Sequence, residues 1–380
     1  MSPHDILKYF ESRQEAILRM THQIVEIESP SFDVSRSRMV ADWIAEKVDK
    51  IPLGISVERV AADNVGDHLA IRAFPDESKK QLLLLGHTDT VHPVGTRLKN
   101  ATRIEGERFY GCGVFDMKAN IVLMLETLRY FSENSVVPPR PITILLSCDE
   151  EAGSKTGKSL VETEAARSEA CLVCEPSAMG KVKTGRKGTG MFTIAAHGVP
   201  SHAGLEPERG ASAIVELAHQ ILKLQTLNNA ELGTTVNVCT IEGGTASNVI
   251  PEHAECSVDV RFSRIDEAAR IENEIASLAP VNERVSLEIS GGVNRPPMER
   301  TDAVAALYEM ARDLAASFNY ELGETQVGGA SDGNFVAAMG VPVLDGLGVA
   351  GDGAHTLDEY ILIDDIPKRA TLLALLMQSV

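Results

Sequence analysis

The run LLLLGHTDTVHP, residues 82–93, places His87, Asp89 and His92 directly after four leucines. An imidazole and a carboxylate two residues apart in an extended segment lie on the same side of the chain, too close for both to ligate one ion well. The pair instead suits a metal-binding histidine whose remote ring nitrogen is held by the aspartate, which fixes its tautomer. Four further apolar or glycine-rich runs end in groups of the same kind: Asp116 in GCGVFDMK, the adjacent Glu150 and Glu151 in SCDEE, Glu175 in CEPS and His355 in GAHTLDEY. Each has a plain reading by itself, with Asp116 as a helix cap, Glu151 as a solvated loop charge and His355 as a surface residue. Together, five carboxylates and two histidines at successive strand ends would repel one another, and a divalent cation removes that conflict. Imidazole and carboxylate without thiolate favour zinc, with cobalt or manganese as related choices. Because Glu150 and Glu151 are neighbours and point in different directions, one can ligate while the other holds a water as general base.

The elements that must position these groups are legible as two textures. From about residue 55 to 178, continuous apolar runs (LLLLG, ITILLS, ACLVC) alternate with the helical ANIVLMLETLRYF. Strands that read as unbroken apolar runs are covered on both faces, so this part is α/β with a mostly parallel sheet flanked by helices. In such a sheet ligands bind beyond the carboxyl ends of the strands, where the groups above converge. The middle of the chain reads β-α-β-β-α-β, and in AECSVDVRF the residues Cys256, Val258, Val260 and Phe262 alternate with polar ones, as in a strand with one wet face. That order predicts a ferredoxin-like α+β insert. The expected organisation is a discontinuous catalytic α/β domain, residues 1–180 and 295–380, around an inserted domain at 181–294. The cluster GGVNRPP fits a hinge between them.

Composition excludes several classes. A formal charge of −18, from 36 basic and 54 acidic residues, repels nucleic acid and anionic membranes. No stretch reaches transmembrane length, and the first 20 residues lack the continuous apolar core of a signal peptide, so a cytoplasmic location is expected. The six cysteines are irregularly spaced. Cys171 and Cys174 would face opposite sides of a strand with no second pair to complete a zinc site, and read as buried reduced thiols.

The motifs GHTDTV, YGCGVFDMKAN, SCDEEAGS, CEPS, AHGVPSHAG, ASNVIP and GAHTLDEY, in this order along nearly the whole chain, resemble the dinuclear zinc peptidases and deacylases. That family includes glutamate carboxypeptidase of the G type, acetylornithine deacetylase and succinyl-diaminopimelate desuccinylase. The resemblance implies two zinc ions per subunit bridged by Asp116, with His87 and Glu175 completing one and Glu151 and His355 the other. It also implies Glu150 as general base, a cis peptide between Asp116 and Met117, and a lid that makes a homodimer. From that lid, His202 in PSHAG would reach the partner subunit's site and polarise the scissile carbonyl. Asn248 in SNVIP and Arg261 in VDVRF would contact the substrate carbonyl and carboxylate.

The expected substrate is a small peptide or N-acyl amino acid with a free carboxylate beside the scissile amide. A metallo-carboxypeptidase is the first reading, an N-acyl-amino-acid deacylase the alternative, and a metal-free binding protein that kept the fold a remote third. Gln326 stands where glutamate-specific members carry an arginine, which weakens the case for glutamate; Glu175, where aminopeptidase members carry aspartate, favours a carboxypeptidase or deacylase. Backbone N–H groups at GGASDGN are expected to assist Arg261. Arg186 and Lys187 in GRKGTG, where the chain enters the insert, read as a solvated charge pair, with a hinge or substrate contact as the alternative.

Overall fold

A computed structural model describes residues 1–380, and the leucine run forms an interior strand in it, Gln81–His87. Its sheet has six strands in the order Ser56–Ala62, Gly66–Ala73, Ile142–Ser147, Gln81–His87, Ser168–Val173, Val343–Leu344. The last four are mutually parallel, and the first two form an antiparallel hairpin at the edge. Leu82 and Leu84 enter the core shared with helices Pro3–Val25, Ala119–Glu133 and Ile366–Ser379, through Ile6, Phe10, Leu125 and Leu372. Leu83 and Leu85, one residue out of phase, are as fully buried and face the other side. Burial on both faces is why this strand shows no polar alternation, and each leucine contributes about 1.5–3 kcal/mol. Helix Ala119–Glu133 is buried nearly all round over its first ten residues, in keeping with its apolar sequence. No helix is long and apolar enough to cross a membrane.

The register sets the strand ends side by side. His87 pairs with Ser147, and Leu85 with Val173, so His87, the Glu150–Ala152 turn and Glu175 all emerge from the carboxyl edge. A second, small sheet (Gly351–Asp352, Tyr360–Leu362, Arg108–Tyr110, Arg103–Glu105) ties the loop holding His355 to the segment that leads into Asp116. Its strands are two or three residues long, too short for a sequence period to reveal.

The chain divides into two compact units: Met1–Thr184 with Arg300–Val327 and Ser331–Val380, and Gly185–Glu299 with Gly328–Ala330. The second unit has an antiparallel sheet ordered Thr235–Gly243, His253–Phe262, Gly188–His197, Ser286–Arg295, with helices Ala213–Gln225 and Ile265–Ala276. Taken in chain order its strands lie 2-3-1-4, the ferredoxin-like arrangement of β-α-β-β-α-β. It has a core of its own, in which Leu217, Leu224, Ile271 and Ile275 from the helices pack with Ile194, Val258 and Val260 from the sheet. The strand His253–Phe262 alternates as its sequence predicts, with Ala254, Cys256, Val258, Val260 and Phe262 buried.

Candidate active site

His87, 1% exposed, is the centre of the cluster at the sheet edge in the first unit. Its Nε2 lies 3.0 Å from Asp116 Oδ1 and 3.4 Å from Glu175 Oε1. Its Nδ1 lies 3.0 Å from the backbone carbonyl of Asp89 and 3.4 Å from that residue's carboxylate. The Asp89 carboxylate does more than face the ring. It accepts from the backbone N–H of both Glu150 and Glu151, at 3.2 and 3.1 Å, and from the Ser31 hydroxyl at 2.7 Å. One buried carboxylate therefore orients the histidine and fixes the turn that carries both glutamates.

Asp116 lies in the turn Val114–Lys118, where its own backbone angles and those of Met117 are not helical and the peptide between them is cis. It does not cap the following helix, whose first residue has no side-chain cap; its carboxylate points at two histidines instead. Oδ1 faces His87, and Oδ2 lies 3.4 Å from His355 Nε2. The turn opens at Gly113, with φ +71°, where an added Cβ would sit 2.6 Å from the Thr90 methyl. Here glycine answers both a left-handed backbone and a close approach.

His355 comes from the opposite loop, also with positive φ, and lies 3.3 Å from Glu151 Oε1. Its side chain is 52% exposed. It is thus a surface residue by accessibility, yet its ring is aimed into the cluster. The structure therefore joins His87, Asp116, Glu175, Glu151 and His355 in one constellation, and the buried Glu150 precedes Glu151 in the turn that Asp89 holds.

The electrostatics show what this cluster wants. Burial alone would lower the His87 pKa, but hydrogen bonds to Asp116 and Asp89 and the charge on Glu175 hold it well above the usual value. The carboxylates of Asp116 and Glu151 beside its ring push His355 up to about 10. Burial would raise the Asp116 pKa, but His355 and His87 hold its carboxyl well below the carboxylate range. Every shift favours positive charge among the carboxylates. Glu151 Oε1, despite its proximity to His355, is buried without a hydrogen bond. The ligand atoms of His87, Asp116 and Glu151 lie within 4.8 Å of one another. Buried oxygen and imidazole donors with an orphaned carboxylate oxygen fit a hard or borderline divalent ion.

The other sequence candidates lie in the second unit. His202 is exposed in the short strand Ser201–His202, which pairs with Val249–Ile250 beside Asn248. Its Nδ1 accepts from the backbone N–H of Gly204 and Leu205, both at 3.1 Å, so the neutral ring carries its proton on Nε2. Arg261 is on the wet face of its strand but is already engaged: its Nε and Nη2 donate to both carboxylate oxygens of Asp259 at 2.8–3.1 Å. Two expectations need correction. Arg186 is no solvated charge; it is 5% exposed and donates to the carbonyls of Gly329 and Ala330. Two backbone N–H groups of GGASDGN are already used, Ser331 donating to Asn334 Oδ1 and Gly333 to Ser331 Oγ, because the turn caps itself. Gln326 is exposed in the strand Glu324–Val327. Cys171 and Cys174 are buried free thiols, both pushed up by burial.

The sequence reading missed Glu359 and passed over His92. Glu359 is fully buried and holds the Asp116 turn by backbone hydrogen bonds, which leave no side-chain pattern to find.

What this donor set can do is limited. Carboxylates and imidazoles around one shared aspartate hold divalent ions and move protons, so the class of protein is a metal-dependent hydrolase. Comparison with known sequences makes the class particular: the chain belongs to peptidase family M20/M25/M40, whose profile matches residues 83–379. Carboxypeptidase G2 of Pseudomonas sp. (strain RS-16) is 29% identical over 374 residues, covering 96% of this chain and 89% of that protein. A succinyl-diaminopimelate desuccinylase of Dinoroseobacter shibae is 31% identical over 316 residues, 74% of this chain and 79% of that one. In fold the chain is similar to the aminopeptidase PepT of Bacillus cereus, with a TM-score of 0.79 at 21% identity over 96% of this chain and 98% of that one. The protein is accordingly an enzyme that hydrolyses amide bonds with the aid of metal, as its sequence motifs imply, and not a metal-free protein that merely kept the fold.

Proposed function

We propose that the protein is a zinc-dependent carboxypeptidase that releases a C-terminal amino acid from a small peptide or peptide-like amide. One observation carries the metal-dependent part of this reading: the two oxygens of Asp116 face two different histidines, and each histidine faces a further carboxylate, Glu175 for His87 and Glu151 for His355. That is the symmetry of a two-ion centre, with Asp116 shared and two terminal ligands on each side. Zinc suits the donors best, with cobalt or manganese as substitutes. When bound, the ions polarise the scissile carbonyl and lower the pKa of a water toward ~7.

The chain's own residues do the rest. Glu150 takes the proton of the attacking water and returns it to the leaving amide nitrogen, its backbone fixed by Asp89. His202, with its proton on Nε2, donates to the carbonyl oxygen, and Asn248 lies just before the strand that pairs with it, its carbonyl accepting from Ala203 N–H. Arg261 binds the substrate's free carboxylate with its planar fork. The second unit is the lid and the dimer contact, and Thr235–Gly243 is an edge strand of its sheet that a partner could extend. A cytoplasmic location fits the composition.

The carboxypeptidase reading is preferred because carboxypeptidase G2 aligns over 96% of this chain. The matches to desuccinylases support the second reading, an N-acyl-amino-acid deacylase, whose substrate offers the same acyl-NH-CH-COO group. Release of free amine from a matched panel of peptidyl and N-acyl amino acids separates the two. Hydrolysis of N-acyl but not peptidyl substrates would replace the first reading by the second, and no hydrolysis of either would remove both.

Asp259 bears on the carboxylate contact. To bind substrate, Arg261 must exchange Asp259 for the incoming carboxylate, so Asp259→Asn is expected to lower KM with little change in kcat. Arg261→Lys keeps the charge but loses the fork, and kcat/KM should fall about 10- to 1000-fold. Steady-state kinetics on one carboxylate substrate and its amide analogue read both, and an equal effect on the amide would exclude a carboxylate contact.

The shared site has its own test. Glu150→Gln and His202→Ala, each inactive alone, should regain partial activity when mixed and allowed to exchange subunits, if the partner subunit's His202 completes each site. Exchange without recovery would place His202 in its own subunit's site or outside catalysis.

A further inference from the structure

The carboxylate of Glu359 is fully buried, yet no side chain of the metal cluster touches it directly. Its Oε1 accepts from the backbone N–H of Phe115 at 2.8 Å and of Asp116 at 2.9 Å. Its Oε2 accepts from the backbone N–H of Gly113 at 2.7 Å and from His92 Nε2 at 2.9 Å. Its own carbonyl accepts from Gly111 N–H at 3.2 Å. Three N–H groups of one turn converge on a single anion, which is how a backbone nest holds a charge. The left-handed φ of Gly113 makes that convergence available.

Glu359 is also four residues beyond His355, in the loop whose ring faces Asp116 Oδ2. The same loop therefore meets Asp116 twice, with His355 at its carboxylate and Glu359 at its backbone. His92, the histidine left unassigned in the HTDTVHP run, closes the arrangement from the loop after His87. The buried Lys118, whose ammonium donates to the Ile27 carbonyl, lies within Coulombic reach of Glu359 and offsets its charge.

We propose that Glu359, with His92 as its proton donor, is a positioning residue of the metal centre: it fixes the backbone of the Gly113–Asp116 turn so that Asp116 presents one oxygen to each ion. The proposal rests on the reading of Asp116 as the bridging ligand. Neither residue touches substrate or reacting atoms. Partners that orient metal ligands typically change metal affinity about 10- to 100-fold when lost, and that is the effect expected here.

The test uses the full chain, stripped of metal and titrated with Co²⁺ by visible absorption and with Zn²⁺ against a chromophoric chelator. Glu359→Gln keeps the shape but turns an amide donor toward backbone donors; it should bind at least one ion about 10- to 100-fold more weakly and show an altered Co²⁺ spectrum. His92→Leu removes the donor and should act in the same direction, whereas His92→Gln, which keeps a donor, should recover most of the affinity. Circular dichroism melts of the metal-free variants separate positioning from folding. If Glu359→Gln and His92→Leu both fail to fold without metal, the role is structural and the proposal fails. If either is folded and binds both ions with wild-type affinity and spectrum, the proposal fails. Asp116→Asn in the same titration is the control. Retention of both ions by that variant would overturn the reading of Asp116 as the shared ligand, on which the proposal rests; loss of ions there, with wild-type binding in the Glu359 and His92 variants, would overturn the positioning role alone.

Discussion

Glu150→Gln is expected to keep its full metal content and lose about 100- to 10,000-fold in kcat, the range that a positioned general base supplies. The amide matches the carboxylate in size and retains the backbone contact to Asp89, so the turn and its neighbour Glu151 stay in place. It cannot accept the proton of the attacking water. Glu151→Gln should behave differently, because Glu151 Oε1 is the buried, unsatisfied oxygen facing His355. That change should reduce metal content first, with activity following it. Metal analysis of both purified variants, beside their kinetics, is the measurement. Equal metal loss in the two would mean that the roles of the adjacent glutamates have been misassigned.

Asp116→Asn should have the second large effect. The carboxylate divides its oxygens between His87 and His355, and no other group in the cluster faces both. An amide offers one acceptor and one donor and carries no charge, so it satisfies at most one side. Affinity should fall at least about 100-fold, roughly 2.7 kcal/mol, for at least one ion, and turnover should become undetectable at ordinary metal concentrations. Titration of the metal-free protein with a competing chelator reads it. Two ions still bound with wild-type affinity would show that Asp116 is not shared between them.

How much of this was visible in the sequence depended on how each residue is held. His87 and Glu175 could be found because parallel strands with unbroken apolar runs end at one edge, and the residues just beyond those ends must meet there. The insert was legible through the alternation of Cys256, Val258, Val260 and Phe262 against their polar neighbours. Asp116 and His355 stand on irregular backbone; residue chemistry and place in the chain marked them as candidates, but only the motif resemblance implied what each would do. Glu359 was hidden for a different reason: its partners are mostly peptide N–H groups, which every residue but proline possesses. Arg186 and Arg261 were misjudged or incompletely judged because an arginine looks the same in sequence whether it faces water, a carbonyl or Asp259. The antiparallel edge of the large sheet was equally unreadable, since a hairpin of mixed polarity at a sheet margin carries no mark of its direction.

The pairing of the chain's first long helix with its last sets an order of assembly. The apolar face of Pro3–Val25, with Ile6, Phe10, Ile17 and Ile24, shares its core with Leu372, Leu373 and Leu376 of Ile366–Ser379. At about 5–20 residues per second, the second helix leaves the ribosome on the order of 20–70 s after the first. The unit Gly185–Glu299, contiguous but for three residues and with a core of its own, can be complete well before then. His355 and Glu359 also arrive late, just ahead of that closing helix. The part of the first helix that packs on Leu372, Leu373 and Leu376 therefore waits for Ile366–Ser379, although Ala119–Glu133 reaches the same core far earlier, and His355 joins Asp116 only shortly before that last contact forms.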